Sequence, residues 1–271
     1  MSAVPIVTFL SDYGTWDEFV GVCHGVIARR CPRARIIDLG HGIARHDVRA
    51  GALALRAALP YTPAGVHLAV VDPGVGGGRR GVALRVAQED RALVGPDNGL
   101  LALAVEDLGG AVAAVDLADS PELLLPLSAT FHGRDVFAPV AAALADGATL
   151  ESVVDPIDPA GLATLALPQP RLAEEGLIAH VLTTDVYGNT ALDATVELAA
   201  AAGLSAGVEL EVAARGGVTR ALFARTFGDV APGGLLAYGD SRGSLALAVN
   251  CGSAAAMLAI ALDDEIALRP L

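Results

Sequence analysis

A carboxylate and a guanidinium seven residues apart frame the stretch DPGVGGGRR, residues 72–80, and more than one chemistry suits such a loop. Consecutive glycines let backbone N–H groups approach an anion closely, as phosphate-binding loops do. That reading fails on its partners: there is no G-K-[ST] ending, and the GVALRVA that follows reads as a strand, not as a helix whose N-terminus would hold a phosphate. Two readings stay open, a bare glycine turn between strands and a catalytic loop in which the rigid Pro73 holds Asp72 at a strand end. His132, in TFHGRDVFAP, stands where a helix opens; a lone histidine there is more often a hydrogen-bonded structural residue than a catalyst, and Arg134 with Asp135 reads as an ordinary helix-start pair. SDYGTWDEF, residues 11–19, offers Ser11 and Asp12 as turn residues and Asp17 near a helix start. TTDVYGNTALD and YGDSRGSLALAVN both read as hairpin turns.

These residues sit where strands end. PIVTFL, RIIDL, VHLAVV and RALVGP alternate with helices from about Glu18 to Arg30 and from about Asp47 to Leu59, the pattern of an α/β layer with much parallel pairing. Asp12 follows the first strand, Asp72 the third, and Asp97 with Asn98 follows RALVGP, so the candidate site lies at the carboxyl edge of an open sheet. The prolines and charges of LALPQPRLAEEG, residues 165–176, interrupt this pattern as a linker. Beyond it, LIAHVLTTD, VELEVAARGGVTRALFARTF, GLLAYGDSRGSLALAVN and EIALRP read as strands and turns, with one short helix at SAAAMLAIAL. The expected fold is therefore α/β: an N-terminal α/β sandwich domain with a largely parallel sheet over residues 1–167, and a smaller β-rich, antiparallel, barrel-like domain over residues 174–271.

Composition removes several classes of function. The 271 residues are 53% hydrophobic, yet the apolar stretches are shorter than the roughly 18 residues of a membrane span. MSAVPIVTFLSD lacks the basic start of a secretion signal, which points to the cytoplasm. A formal net charge of −13 argues against a nucleic-acid partner. No lysine occurs anywhere, which excludes Schiff-base chemistry and a lysine-bearing phosphate loop. Three scattered cysteines, Cys23, Cys31 and Cys251, read as buried free thiols, and the six histidines show no paired metal-ligand spacing, so neither metal nor cofactor is expected.

Taken together and in this order, SDYGTWDEFVGVCHGVI, VVDPGVGGGRR, VGPDNGLL, TFHGRDVFAP, DVYGN and SRGSLALAVNCGSAA resemble the S-adenosyl-L-methionine hydroxide adenosyltransferase family, adenosine-forming hydrolases related to the fluorinase and chlorinase enzymes. The resemblance spans nearly the whole chain. It implies attack of water or hydroxide on the ribose C5′ of S-adenosylmethionine, releasing adenosine and L-methionine, in a homotrimer whose sites lie between subunits. It also implies a catalytic set of Asp72, Arg79 and His132: Arg79 favours hydroxide character in the bound water, His132 orients the water or takes its proton, and Asp72 fixes Arg79. Arg80 is the rival to Arg79, and only the spacing from Asp72 favours the first. For binding, the resemblance puts Asp12 on the ribose hydroxyls, Asn189 on adenine, and Asp17, Asp185, Ser241 and Arg242 near the methionine end. The halogenating relatives carry a tyrosine where this chain has Asp72, and their insertion after the loop has no counterpart in GVALRVAQEDRALVGPDNG. A buried carboxylate would repel a desolvated halide, which argues against a chlorinase-like halogenase. A non-catalytic S-adenosylmethionine or adenosine binder would keep Asp12, Asn189 and Arg242 but would not need the catalytic set.

Overall fold

A computed structural model describes residues 4–154 and 156–271, and the chain divides after Leu165 into two compact units. In the first unit β1 (Ile6–Ser11), α1 (Phe19–Arg30), β2 (Arg35–Gly40), α2 (Val48–Ala58) and β3 (Val66–Val70) come first. They are followed by β4 (Gly81–Val86), β5 (Ala92–Pro96), α3 (Ala102–Asp107), β6 (Ala111–Asp116), α4 (Ala138–Ala145), α5 (Leu150–Val153) and β7 (Pro156–Ile157). The sheet order is β2-β1-β3-β5-β4-β6-β7. β2, β1, β3 and β5 pair in parallel, while β4 is antiparallel to both β5 and β6, and β7 is antiparallel to β6. Five of the seven strands therefore point one way, as a largely parallel sheet requires.

Both faces of this sheet are covered, which explains why its central strands are apolar on each side. On β1, Val7 and Phe9 face a core shared with Cys23 and Ile27 of α1 and Val140 of α4, while Leu10 joins the opposite core with Leu55 of α2 and Ala104 of α3. One polar chain crosses this interior. Thr8 Oγ1 lies 2.9 Å from His67 Nδ1, and Arg91 Nη1 donates to His67 Nε2 at 3.1 Å. Burial, and then the Arg91 charge, push His67 down to about 3, so the ring is neutral and its two nitrogens split the roles of donor and acceptor.

The second unit contains β8 (Arg171–Ala173), β9 (Gly176–Thr184), β10 (Thr190–Thr195), α6 (Val196–Ala201), β11 (Glu209–Ala214) and β12 (Gly217–Phe223). It ends with β13 (Leu235–Gly239), β14 (Ser244–Val249), α7 (Ala254–Leu258) and β15 (Glu265–Pro270). The order β10-β14-β13-β12-β11-β15-β9 closes on itself through pairing of β9 with β10, giving a seven-stranded barrel with β8 attached outside β9. Alternation along the strands fills the interior: Leu177, Ala179 and Val181 of β9 meet Leu210 and Val212 of β11 and Ile266 and Leu268 of β15 in one core. The proline-rich stretch read as a linker is thus partly structured, since Arg171 pairs with Ile178. Cys23 and Cys31 are buried as expected, but Cys251 is exposed. The reason is local: Cys251 stands at a φ of 58° in the turn that leaves β14, outside the barrel core. Among the described residues, no helix is long and apolar enough to cross a membrane.

Candidate active site

Because β1, β3 and β5 are neighbours and parallel, their carboxyl ends bring Asp12, Asp72 and Asp97 to one sheet edge. Asp72 follows β3 and Arg79 precedes β4, so the glycine loop is the connection that reverses the chain. Arg79 donates Nε–H to Asp72 Oδ1 at 2.7 Å, and its Nη2 donates to Asp72 Oδ2. The same Nη2 lies 2.9 Å from His132 Nδ1. A guanidinium only donates, so His132 Nδ1 accepts, and the neutral ring carries its proton on Nε2 by assignment from this network. Phe137 backs the pair, with the Arg79 guanidinium 5.1 Å from the ring centroid. Burial, reinforced by the Arg79 charge, lowers the His132 pKa below its ordinary value, against a smaller opposing pull from Asp72 and Asp135. The imidazole is therefore neutral at physiological pH.

Arg80 is engaged elsewhere. It donates Nε–H and Nη2–H to Asp97 Oδ2 at 3.0 and 2.6 Å and a further bond to Gly161 O at 2.6 Å. Asn98 Nδ2 donates to Val71 O at 2.9 Å, holding the residue next to Asp72. Asp97 and Asn98 thus brace the loop from behind.

Two glycines set how closely the segments approach. A Cβ at Gly76, whose φ is 73°, would lie 2.2 Å from Ala129 O, so the loop is clasped to the chain that leads into His132. A Cβ at Gly133 would lie 2.1 Å from the Tyr13 hydroxyl. His132 itself caps a π-helical turn, Gly133–Phe137, that runs into α4, an irregularity common at functional sites. Asp135, 2% exposed, anchors this turn by pairing with Arg134 and accepting from the Ser128 N–H at 2.9 Å.

Asp72 and His132 open on a cleft of about 320 Å³ that Asp12, Asp17, Tyr13 and Gly133 also line. Asp12 Oδ2 accepts from the His46 N–H at 2.9 Å. Asp185, Asn189, Ser241 and Arg242 line a separate cleft of about 430 Å³ in the second unit, together with Phe227 and Tyr238. There Asp185 spends its carboxylate on its own turn: Oδ1 accepts from the Tyr187 and Asn189 N–H groups at 2.8 and 2.9 Å, and Oδ2 accepts from Asn189 Nδ2 at 2.9 Å. A larger cavity, of about 620 Å³, lies behind the Arg80–Asp97 pair, is lined mainly by apolar side chains, and contains none of the expected site residues.

The residues missed at the sequence level are mostly aromatic. Tyr13 packs edge-on against Phe9 and Phe131, with centroids 6.4 and 5.8 Å away. Burial first, then the neighbouring Cys23 and the charges of Asp12 and Asp72, raise its pKa against the pull of Arg79, so the hydroxyl stays protonated. Phe227 and Tyr238 meet in a tilted pair, with ring centroids 5.2 Å apart, in the second cleft. The available signal was scarcity, since aromatic residues are only 4% of the chain and four of them line these two clefts.

Comparison with known proteins agrees in both units. The family model for the SAM hydroxide adenosyltransferase N-terminal domain matches residues 7–154, and that for the C-terminal domain matches residues 179–267. A curated (R)-S-adenosyl-L-methionine hydrolase from Salinispora tropica is 48% identical over 266 residues, covering 98% of each chain. A fluorinase from Actinoplanes sp. is more distant, at 29% identity over 91% of each chain. The crystal structure of an uncharacterized conserved protein from Thermotoga maritima superposes with a TM-score of 0.90 at 35% identity, covering 97% of this chain and 99% of the other.

Proposed function

The chain belongs to the SAM hydroxide adenosyltransferase family, and from that premise we propose that it hydrolyses S-adenosyl-L-methionine to adenosine and L-methionine. Water attacks the ribose C5′ as hydroxide, its proton released to solvent, and the C5′–S bond breaks as neutral methionine departs with the bonding electron pair. The sulfonium leaves as a neutral thioether, so no acid is required on that side, and this chemistry requires no cofactor. The demand falls on the nucleophile, which has to be held in line with the C5′–S bond.

The observation that carries this reading is the bidentate Asp72–Arg79 pair with His132 Nδ1 at 2.9 Å from the same guanidinium, on the wall of a cleft shared with Asp12. Arg79 favours hydroxide character in the bound water, whose proton passes to solvent, and Asp72 holds the guanidinium plane. With Nδ1 turned to Arg79, His132 points its Nε2–H away from that bond and serves first to orient the water. Asp12 suits a vicinal diol, Asn189 the adenine edge, and Asp17, Ser241 and Arg242 the charged groups of the amino-acid end. Asp185 holds Asn189 through Oδ1 and Oδ2, and the acceptor capacity left on Oδ2 suits the ammonium of the amino-acid end. Asp72 also disfavours halide in the nucleophile position.

We further propose a cytoplasmic homotrimer in which the cleft of the first unit in one subunit is completed by the second unit of the next. Trp16, 98% exposed beside Asp17, and Val186 and Tyr187, 95% and 76% exposed beside Asp185, are apolar surface that such an assembly would cover. The function is tested by incubating the protein with S-adenosylmethionine in ¹⁸O-labelled water, with and without chloride. Adenosine carrying the label at the 5′-hydroxyl, whether or not chloride is present, is the expected product. A 5′-chloro nucleoside, or unreacted substrate despite tight binding, would overturn the reading.

A further inference from the structure

A second cluster of chemistry-bearing side chains lies outside the cleft. His24 on α1, Asp38 on β2 and His41 just beyond β2 converge on one point: His24 Nε2 and His41 Nε2 stand 2.9 and 3.0 Å from the same Asp38 Oδ1. The three donor atoms all fall within 4.8 Å of one another, and among the described residues no other group of histidine, cysteine and carboxylate atoms meets that condition. Their sequence spacing gave no hint of this, because a helix and a neighbouring strand have to pack before His24 meets Asp38.

His41 is the informative member. Its side chain is 95% buried, and Ser11 Oγ lies 2.8 Å from Nδ1. Its Nε2 has no hydrogen-bond partner, because the 3.0 Å approach to Asp38 Oδ1 lacks the alignment of a hydrogen bond. In the tautomer that donates Nδ1–H to Ser11 Oγ, which is the one a metal at Nε2 requires, Nε2 presents a lone pair to a carboxylate oxygen. Two acceptors held that close repel unless a cation lies between them. An outer hydrogen bond that fixes the imidazole tautomer is also the usual support of a metal-bound histidine.

We propose that His24, Asp38 and His41 form a binding site for a divalent transition-metal ion, with water in the remaining positions. Two imidazoles and one carboxylate suit ions that take mixed nitrogen and oxygen ligands. Adjacent ligands in an octahedron with bonds of about 2.1 Å stand about 3.0 Å apart, close to the separations from Asp38 Oδ1 to both imidazoles. The His24 and Asp38 side chains are 32% and 42% exposed, so the ion enters from solvent. The site is distinct from the reaction proposed above, but it touches the frame of the cleft. His41 O accepts from the Gly14 N–H at 2.7 Å, and the His41 ring holds Ser11, so the ion would tie down the segment that carries Asp12 and Tyr13.

The test is binding, independent of turnover. Tag-free protein stripped with chelator is titrated by calorimetry with Ni²⁺, Co²⁺ and Zn²⁺ separately, alongside His24→Ala and Asp38→Asn. The His24 side chain is 32% exposed, and circular dichroism checks that its variant is folded. The expected result is one ion per chain for at least one metal. Binding should weaken more than about 100-fold in His24→Ala, since even outer partners of metal ligands are worth about 10–100-fold. Equal affinity in the wild-type protein and His24→Ala, or no wild-type binding at millimolar metal, would sink the proposal.

Discussion

Two adjacent arginines divide their labour by partner, not by type. Arg79 meets Asp72 and His132, while Arg80 meets Asp97 and the Gly161 carbonyl. Sequence spacing could not separate them, because neighbours at a strand start point to opposite faces and Asp97 arrives only through the β4–β5 pairing. Arg79→Lys, which cannot grip Asp72 in bidentate fashion, should lower kcat by about 10²–10³-fold with a small change in KM. Arg80→Ala should leave kcat near wild type but cost roughly 1–3 kcal/mol in denaturant melts. That is less than for a fully buried pair because the Arg80 side chain is 38% exposed. pH gives a second test. His132 has a pKa lowered by burial and by Arg79, so its neutral form persists below the usual histidine value of 6.5. Activity should hold as pH falls past that value and then drop as the ring gains a proton at Nδ1 and loses its bond from Arg79. A stopped assay from pH 8 to 5 should show an acid limb centred below 6.5, and a limb above that value would contradict the assignment. At Asp185 the sequence did not disclose a second use: its carboxylate accepts three hydrogen bonds within its own turn and keeps acceptor capacity on Oδ2.

Elements carry these side chains to within tenths of an ångström, and the glycines show where tolerance ends. β1 to β5, α1 and α2 were legible from their apolar periodicity, whereas the short α3, β6, α5 and β7 were not, and Glu18, the expected helix start, stands at the N-cap position of α1. The reversal of β4 between β5 and β6 was not legible, because a strand buried on both faces has the same composition in either direction. Nor did the glycine run announce its use. Gly76 lets the loop rest on Ala129 O, away from any phosphate, so Gly76→Ala should cost at least about 1 kcal/mol through its positive φ and also displace Asp72 relative to His132. Melting temperature and kcat should fall together. Gly133→Ala should push Tyr13 out of place, and adding Tyr13→Phe should recover part of the loss by removing the hydroxyl 2.1 Å from the new methyl. A double-mutant cycle reading the two changes as simply additive would refute that contact.

At the scale of the whole chain, the two-part architecture was visible in the change from alternating helices and strands to mainly strands. Closure of the barrel was not, since the β11–β15 and β9–β15 pairings join residues far apart in sequence. Sedimentation should give a particle of about 82 kDa, three times the 27.3 kDa chain, and Trp16→Glu should shift the population toward monomer and raise KM. A wild-type monomer that is fully active would end the idea of a shared site. One feature of the barrel also bears on biosynthesis. β15 is inserted between β9 and β11, so the second unit lacks a central stave until residue 270 has cleared the ribosomal tunnel. The first unit, by contrast, has its last strand by Ile157 and can fold while the rest is still being translated. A nascent chain stalled before β15 has emerged should present a folded first unit beside an open, adhesive sheet edge, which protease protection of the two units would show.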